Sequence, residues 1–282
     1  MAIRARWALA GAVGCVGLLA ATWFAAFHVG IVRNADRSMF AGFYELHSHG
    51  AIPQVATFVA SLCNPSPYVY FAPIPVLVAL ARGRPRVALA VAAMLIGANV
   101  TTHELKLLLA EPRLTSMLEG FPTVASKSWP SGHATAAMSL ALSSVLAAPP
   151  RWRPFVAALG AVFALGVSYS FLTLGWHFPS DVLGGFLVAA TWALLAIAGL
   201  RAAESRIPRG AYASARASVA ETLGPLGVAA AAAVGLGMLV LLSRPHEVLA
   251  YAQGHRAFVV GAAAIAAASF SVSSVIVLTV RR

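Results

Sequence analysis

The sequence predicts an all-α fold, a multi-pass transmembrane helical bundle, and three observations carry that prediction. Hydrophobic residues make up 60% of the 282-residue chain and charged residues only 10%, against roughly 25% charged in soluble domains. The mean hydropathy is +0.80. Mostly apolar runs of about 20 residues recur, the length a helix needs to cross the hydrocarbon core with every backbone polar group bonded internally.

About eight spans are expected, near residues 7–28, 66–81, 87–109, 132–148, 155–173, 181–200, 224–243 and 258–280. Residues 52–62 are apolar but short, and Asn64-Pro65-Ser66-Pro67 separates them from the next apolar run. This piece reads as interfacial or re-entrant. Arg4 and Arg6 precede the first span, as in a signal peptide. Its apolar run exceeds the roughly 7–15 residues of a signal-peptide core, so it reads as a retained anchor.

Orientation follows from Lys and Arg, which accumulate in cytoplasmic loops. With the N-terminus inside, thirteen of the 20 basic residues fall on the cytoplasmic side and seven outside. Both termini are then cytoplasmic. The formal net charge of +11 is explained by topology and anionic headgroups, and calls for no nucleic acid partner. Cys15 and Cys63 lie in apolar surroundings without metal or redox spacing.

In this topology most of the eight histidines lie at or beyond the outer helix ends, and three short motifs gather there. The first runs from Lys106 to Arg113, two cations separated by one or two helical turns and a proline break, able to converge on an anion. Alone, it is equally well explained by a lysine snorkelling to the interface. The second is Pro130-Ser131-Gly132-His133, immediately before an apolar helix. Ser131 can cap that helix, and the N–H groups of Gly132, His133 and Ala134 would point outward where phosphate oxygens bind well. His133 adds a group that moves a proton near neutral pH. An ordinary cap beside an incidental histidine is the bland alternative.

The third motif is His177-Phe-Pro-Ser-Asp181, opening the sixth span. An acid four positions after a histidine can accept a proton from one ring nitrogen and leave the other as a nucleophile. An Asp placed for the helix dipole would look the same. All three motifs nevertheless share one side of the membrane, under an orientation fixed by other charges. His103-Glu104 resembles the start of a zinc-protease motif, but the position four after His103 is Leu107.

The order and spacing of the three motifs resemble the type 2 phosphatidic acid phosphatase (PAP2) superfamily, whose signatures run Lys-x6-Arg-Pro, Pro-Ser-Gly-His and Ser-Arg-x5-His-x3-Asp. The likeness covers roughly residues 50–200. It implies that His177 attacks phosphorus to form a phosphohistidine, oriented by Asp181, while His133 protonates the leaving oxygen. Lys106, Arg113, Ser131 and the Gly132 backbone would hold the phosphoryl oxygens. No metal or other cofactor enters this scheme.

Two positions depart from the family pattern. Leu114 replaces the proline after Arg113, which alters the local turn. Phe171 stands where the family has a phosphate-contacting arginine, six positions before His177. Loss of one preorganised donor at such a site costs about 2.7–4 kcal/mol. Lys127, three residues before Pro130, is a candidate for the missing charge, although a lysine is a point charge and not a bidentate fork. A solvated loop lysine is the equal alternative.

The expected organisation is a six-helix PAP2-like core over residues 1–200, a cytoplasmic connector over 201–223, and two additional transmembrane helices over 224–282. Runs of small residues at 229–233 and 262–268 permit close helix contact, including self-association into a homo-oligomer. The expected function is hydrolysis of a lipid phosphate or prenyl diphosphate at the outer membrane face. Membrane lipids are the surrounding partners. The reading from another class is a catalytically impaired phospholipid-binding or scaffold protein, which Phe171 favours and the retained histidines oppose.

Overall fold

The computed structural model describes residues 2–109, 111, 124, 126–204 and 218–280. Arg113 and Leu114 lie outside the described residues, as does most of the expected connector. Twelve α-helices are present among the described residues: α1 (Ala2–His28), α2 (Gly30–Glu45), α3 (Ile52–Ser61), α4 (Pro65–Phe71), α5 (Pro73–Ala81), α6 (Pro85–Leu108), α7 (Gly132–Ala147), α8 (Arg153–Thr173), α9 (Pro179–Glu204), α10 (Val219–Ser243), α11 (Pro245–Gly254) and α12 (Arg256–Val280).

Six stretches are long and apolar enough to cross a bilayer, those of α1, α6, α8, α9, α10 and α12. The protein is a multi-pass membrane protein. The two remaining expected spans are shorter. Residues 66–81 resolve into α4 and α5, which meet at Ala72. Pro73 lacks the N–H needed to continue the intrahelical ladder there. Helix α7 has only 16 residues, and most of its side chains are buried by α6, α8 and α9. Enclosed by protein, it does not have to match the thickness of the lipid.

Helix α9 is the axis of the bundle, packed by α1, α6, α7 and α12. In its most apolar window 61% of residues are buried, against 6% for α10, whose surface is left for lipid. Trp192, in the middle of α9, donates its indole N–H to the Thr101 hydroxyl of α6 at 3.0 Å. The added C-terminal helices pack on the rest of the protein: α12 lies along α8, α2 and α9, and α10 against α8. Tyr169 of α8 donates its hydroxyl to the Ala262 carbonyl of α12 at 2.6 Å.

The expected outer loop between the first span and α3 contains a helix. The sequence of α2 is too polar to register as a span, so hydropathy alone does not reveal it. Its buried residues include Asp36, Phe40 and Phe43, the i, i+4, i+7 spacing of one helical face. That face turns inward against α8, α9 and α12.

The start of α9 approaches α7 closely at Gly185 and the residues just before α7 at Gly184. A Cβ at Gly185 would stand 2.7 Å from the Ser131 carbonyl oxygen and 2.9 Å from the Thr135 nitrogen. A Cβ at Gly184 would stand 2.9 Å from Trp129 Nε1. Gly185→Ala is therefore expected to destabilise the protein by about 1–3 kcal/mol, since backbone atoms cannot move aside as a flexible side chain does. Thermal unfolding in detergent measures this, with Gly199→Ala, whose added Cβ meets nothing within 4 Å, as a control that leaves stability nearly unchanged.

Candidate active site

The second and third motifs meet at the junction of α7 and α9. Ser131 ends the preceding chain in an extended conformation, and its hydroxyl accepts the Ala134 N–H at 3.3 Å, capping α7. The Ser131 N–H donates to the Asp181 carbonyl at 2.9 Å, which ties the start of α7 to the start of α9. Ser131 is fully buried, so its visible work is the cap. The first-turn N–H groups of Gly132 and His133 are those an α-helix leaves without intrahelical acceptors. A Cβ built at Gly132 meets nothing within 4 Å, so there is open space beside this helix end.

His177 follows a turn at the end of α8 in which Gly175 has φ +73°, a left-handed conformation that glycine adopts without a Cβ clash. His177 Nδ1 lies 3.3 Å from Asp181 Oδ2. Asp181 is fully buried, and the same carboxylate oxygen accepts the Phe178 N–H at 2.9 Å. An ionised carboxylate only accepts, so this contact selects the Nδ1–H tautomer and makes Nε2 the basic nitrogen of His177.

The His133 and His177 rings are neighbours, with centroids 6.2 Å apart. Trp176 packs on His133 at 5.5 Å. His133 Nε2 also lies 2.8 Å from Asn64 Oδ1, in the turn between α3 and α4. Lys106, in the last turn of α6, is within electrostatic range of both Asp181 and His133.

Of the residues singled out from sequence, His133, His177, Asp181, Ser131, Gly132 and Lys106 thus gather at one end of the bundle. Arg113 lies outside the described residues. Lys127 is exposed in the turn before Ser128. Phe171 is fully buried, its ring edge-on to His177 at 5.1 Å and tilted against His133 at 5.8 Å. An apolar ring therefore abuts both histidines.

Sequence reasoning misses two residues beside the site. Asn64 reads from the sequence only as a breaker between apolar stretches. Asp36 of α2 is buried, and accepts both the backbone N–H of Ser180 at 2.9 Å and the Ser180 hydroxyl at 2.7 Å. Among the described residues, no group of three or more His, Cys, Asp or Glu side chains is placed to hold a metal ion.

Residues 87–204 match the PAP2 superfamily model. A 70-residue stretch is 43% identical to phosphatidylglycerophosphatase B of Escherichia coli (strain K12), covering 25% of this chain and 27% of that protein. Another match, 38% identical over 87 residues, is to an undecaprenyl-diphosphatase of Sulfolobus acidocaldarius, covering 29% of this chain and 37% of that one. The chain thus aligns with about a quarter to two-fifths of these curated relatives. A transmembrane PAP2 type phosphatidylglycerolphosphate phosphatase from Bacillus subtilis superposes with a TM-score of 0.56 at 21% identity, covering 71% of this chain and 98% of that chain. The fold is shared.

The Ser131 cap yields a prediction about stability. Ser131→Ala should cost about 0.5–2 kcal/mol and Ser131→Gly only a few tenths, read as the thermal unfolding shift of the purified protein without substrate.

Proposed function

We propose that this protein, whose residues 87–204 match the PAP2 superfamily, is an integral membrane phosphatase acting on a lipid phosphate or prenyl diphosphate. The single observation that supports it most is the His177–Asp181 contact facing His133 at the open N-terminus of α7. This arrangement supplies a nucleophile with its orienting acid, a second histidine for proton transfer, and backbone donors for anionic oxygens. The relatives named as acting on phosphatidylglycerophosphate and undecaprenyl diphosphate point to the substrate class.

In this reading, Nε2 of His177 attacks phosphorus as the bond from phosphorus to the lipid oxygen breaks. His133, protonated once the negative charge of the bound phosphate lies beside it, gives that proton to the departing oxygen. The Asp181 carboxylate stabilises the imidazole as it gains positive charge. Lys106, Arg113 and the N–H groups of Gly132 and His133 hold the three remaining phosphoryl oxygens, with Ser131 shaping that cradle through its cap. His133, now neutral, takes a proton from water as the water attacks phosphorus, and the phosphorus–nitrogen bond breaks to release phosphate and restore His177. The steps need no metal. The distribution of basic residues supports a site at the outer face with both termini cytoplasmic.

Phe171 favours a second reading, a phospholipid-binding or scaffold protein with impaired catalysis. Its ring supplies no donor where a guanidinium would reach phosphate. Lys127 is a candidate for offsetting that loss, and Lys127→Ala should lower kcat/KM if it does so; unchanged turnover would reduce it to a solvated loop lysine.

Phosphate release by the purified full chain, with EDTA present and across a panel of lipid phosphates and diphosphates, separates the two readings. Wild type is expected to release phosphate, and His177→Ala to lower kcat by about three orders of magnitude or more. Asp181→Asn should also reduce kcat substantially, because an amide no longer stabilises the charged imidazole. No release by folded wild type on any substrate, with release restored in Phe171→Arg, would favour the impaired scaffold.

A further inference from the structure

We infer that Asp36 is a positioning residue for the His177–Asp181 unit, so that α2, which lies outside the segment matching the PAP2 superfamily, is part of the working site. The inference rests on the phosphatase reading above.

Helix α2 holds the turn between His177 and Asp181 at two consecutive places. Phe40 packs on Phe178 with ring centroids 4.7 Å apart, and both rings are fully buried. One turn earlier on the same face, Asp36 takes two hydrogen bonds from Ser180, one from the backbone N–H and one from the hydroxyl. Phe178 and Ser180 are the immediate neighbours of His177 and Asp181. Within the turn itself run short-range bonds, the Phe178 N–H to the Asp181 carboxylate and the Asp181 N–H to the Phe178 carbonyl at 3.0 Å, and the Ser131 N–H joins the Asp181 carbonyl from the start of α7. The first two fix its internal shape. Only contacts from other elements fix how it sits on the bundle, and Asp36 is a buried charged acceptor among them.

The chemistry of the pair explains why a carboxylate serves. Ser180 lies in the first turn of α9, where an N–H has no intrahelical acceptor and the helix dipole favours negative charge. Charge-assisted bonds are shorter and stronger than neutral ones. The second bond, to the hydroxyl, fixes the rotation of the turn about the Asp36 side chain. Displacement of a reacting group by about 1 Å costs on the order of 100-fold in rate, so a partial loosening of this turn is readable in kcat.

Helix α2 is itself held from behind. Phe258 of α12 lies against it so closely that a Cβ on Gly42 would stand 2.5 Å from Phe258 Cβ. The Tyr251 hydroxyl donates to the Gly42 carbonyl, and His255 pairs with Glu45. The C-terminal helices thereby brace the helix that carries Asp36.

The test compares kcat and KM for wild type, Asp36→Ala, Asp36→Asn, Ser180→Ala and Asn34→Ala in the purified full chain, with thermal unfolding recorded for each and His177→Ala as the inactive reference. The substrate is whichever lipid phosphate or diphosphate wild type hydrolyses best. Asp36→Ala should lower kcat about 10-fold or more with KM within about twofold of wild type. Asp36→Asn, whose oxygen still accepts the N–H and whose amide donates to the hydroxyl, should recover kcat to within about threefold. Asn34→Ala, exposed on the same helix, should match wild type. Folded Asp36→Ala with unchanged kcat, or with KM rising as kcat falls, would overturn the inference. Where Asp36→Ala does not fold, Ser180→Ala decides: a kcat loss of about threefold or more at constant KM supports the inference, and unchanged kcat refutes it. Equal release by wild type and His177→Ala, or none by either, identifies failure of the phosphatase reading itself, and this inference fails with it.

Discussion

The carboxylate of Asp181 is the point on which the described site depends. It is fully buried, where an unpaired charge would be prohibitively expensive. Its environment therefore has to supply donors: His177 Nδ1 faces it, and the Phe178 N–H donates to it. The backbone carbonyl of the same residue accepts the Ser131 N–H, so the residue that orients one histidine also sets the height of the helix that presents the other. The close approach at Gly184 and Gly185 is what brings those two helix starts within reach. Packing density at the α7–α9 contact and the spacing of His133 from His177 are consequently one constraint.

The helical membrane fold was legible because hydropathy reports directly on lipid contact. It worked for α1, α6, α8, α9, α10 and α12, and less well for residues 66–81, where Pro73 ends one helix and begins another. The same signal was blind to α2. That segment carries Arg33, Asp36, Arg37 and Glu45, and its amphipathic spacing of Asp36, Phe40 and Phe43 is evident only when periodicity is weighed ahead of mean hydropathy. An acid in register with Phe40 and Phe43 was the available clue.

The site was legible to the extent that its chemistry is local in sequence. His177 and Asp181 are four residues apart, and Ser131, Gly132 and His133 are consecutive, so motif spacing defines their geometry. Asn64 and Asp36 reach the same place from elsewhere in the chain, at sequence separations of 69 and 144 residues, and no local pattern announces such contacts. Phe171 was legible as a departure, but not its placement: the ring is buried against both histidines, which makes the site drier and less cationic than an arginine would.

In the proposed mechanism His177 carries the phosphoryl group between substrate and water. Rapid acid-free quenching of wild type turning over a lipid phosphate labelled with radioactive phosphorus tests it most directly, followed by peptide mapping of the label. Label is expected on the peptide containing His177, stable to base and labile to acid, and formed at a rate no slower than turnover. Phosphate release with no label at His177 at any time would contradict it.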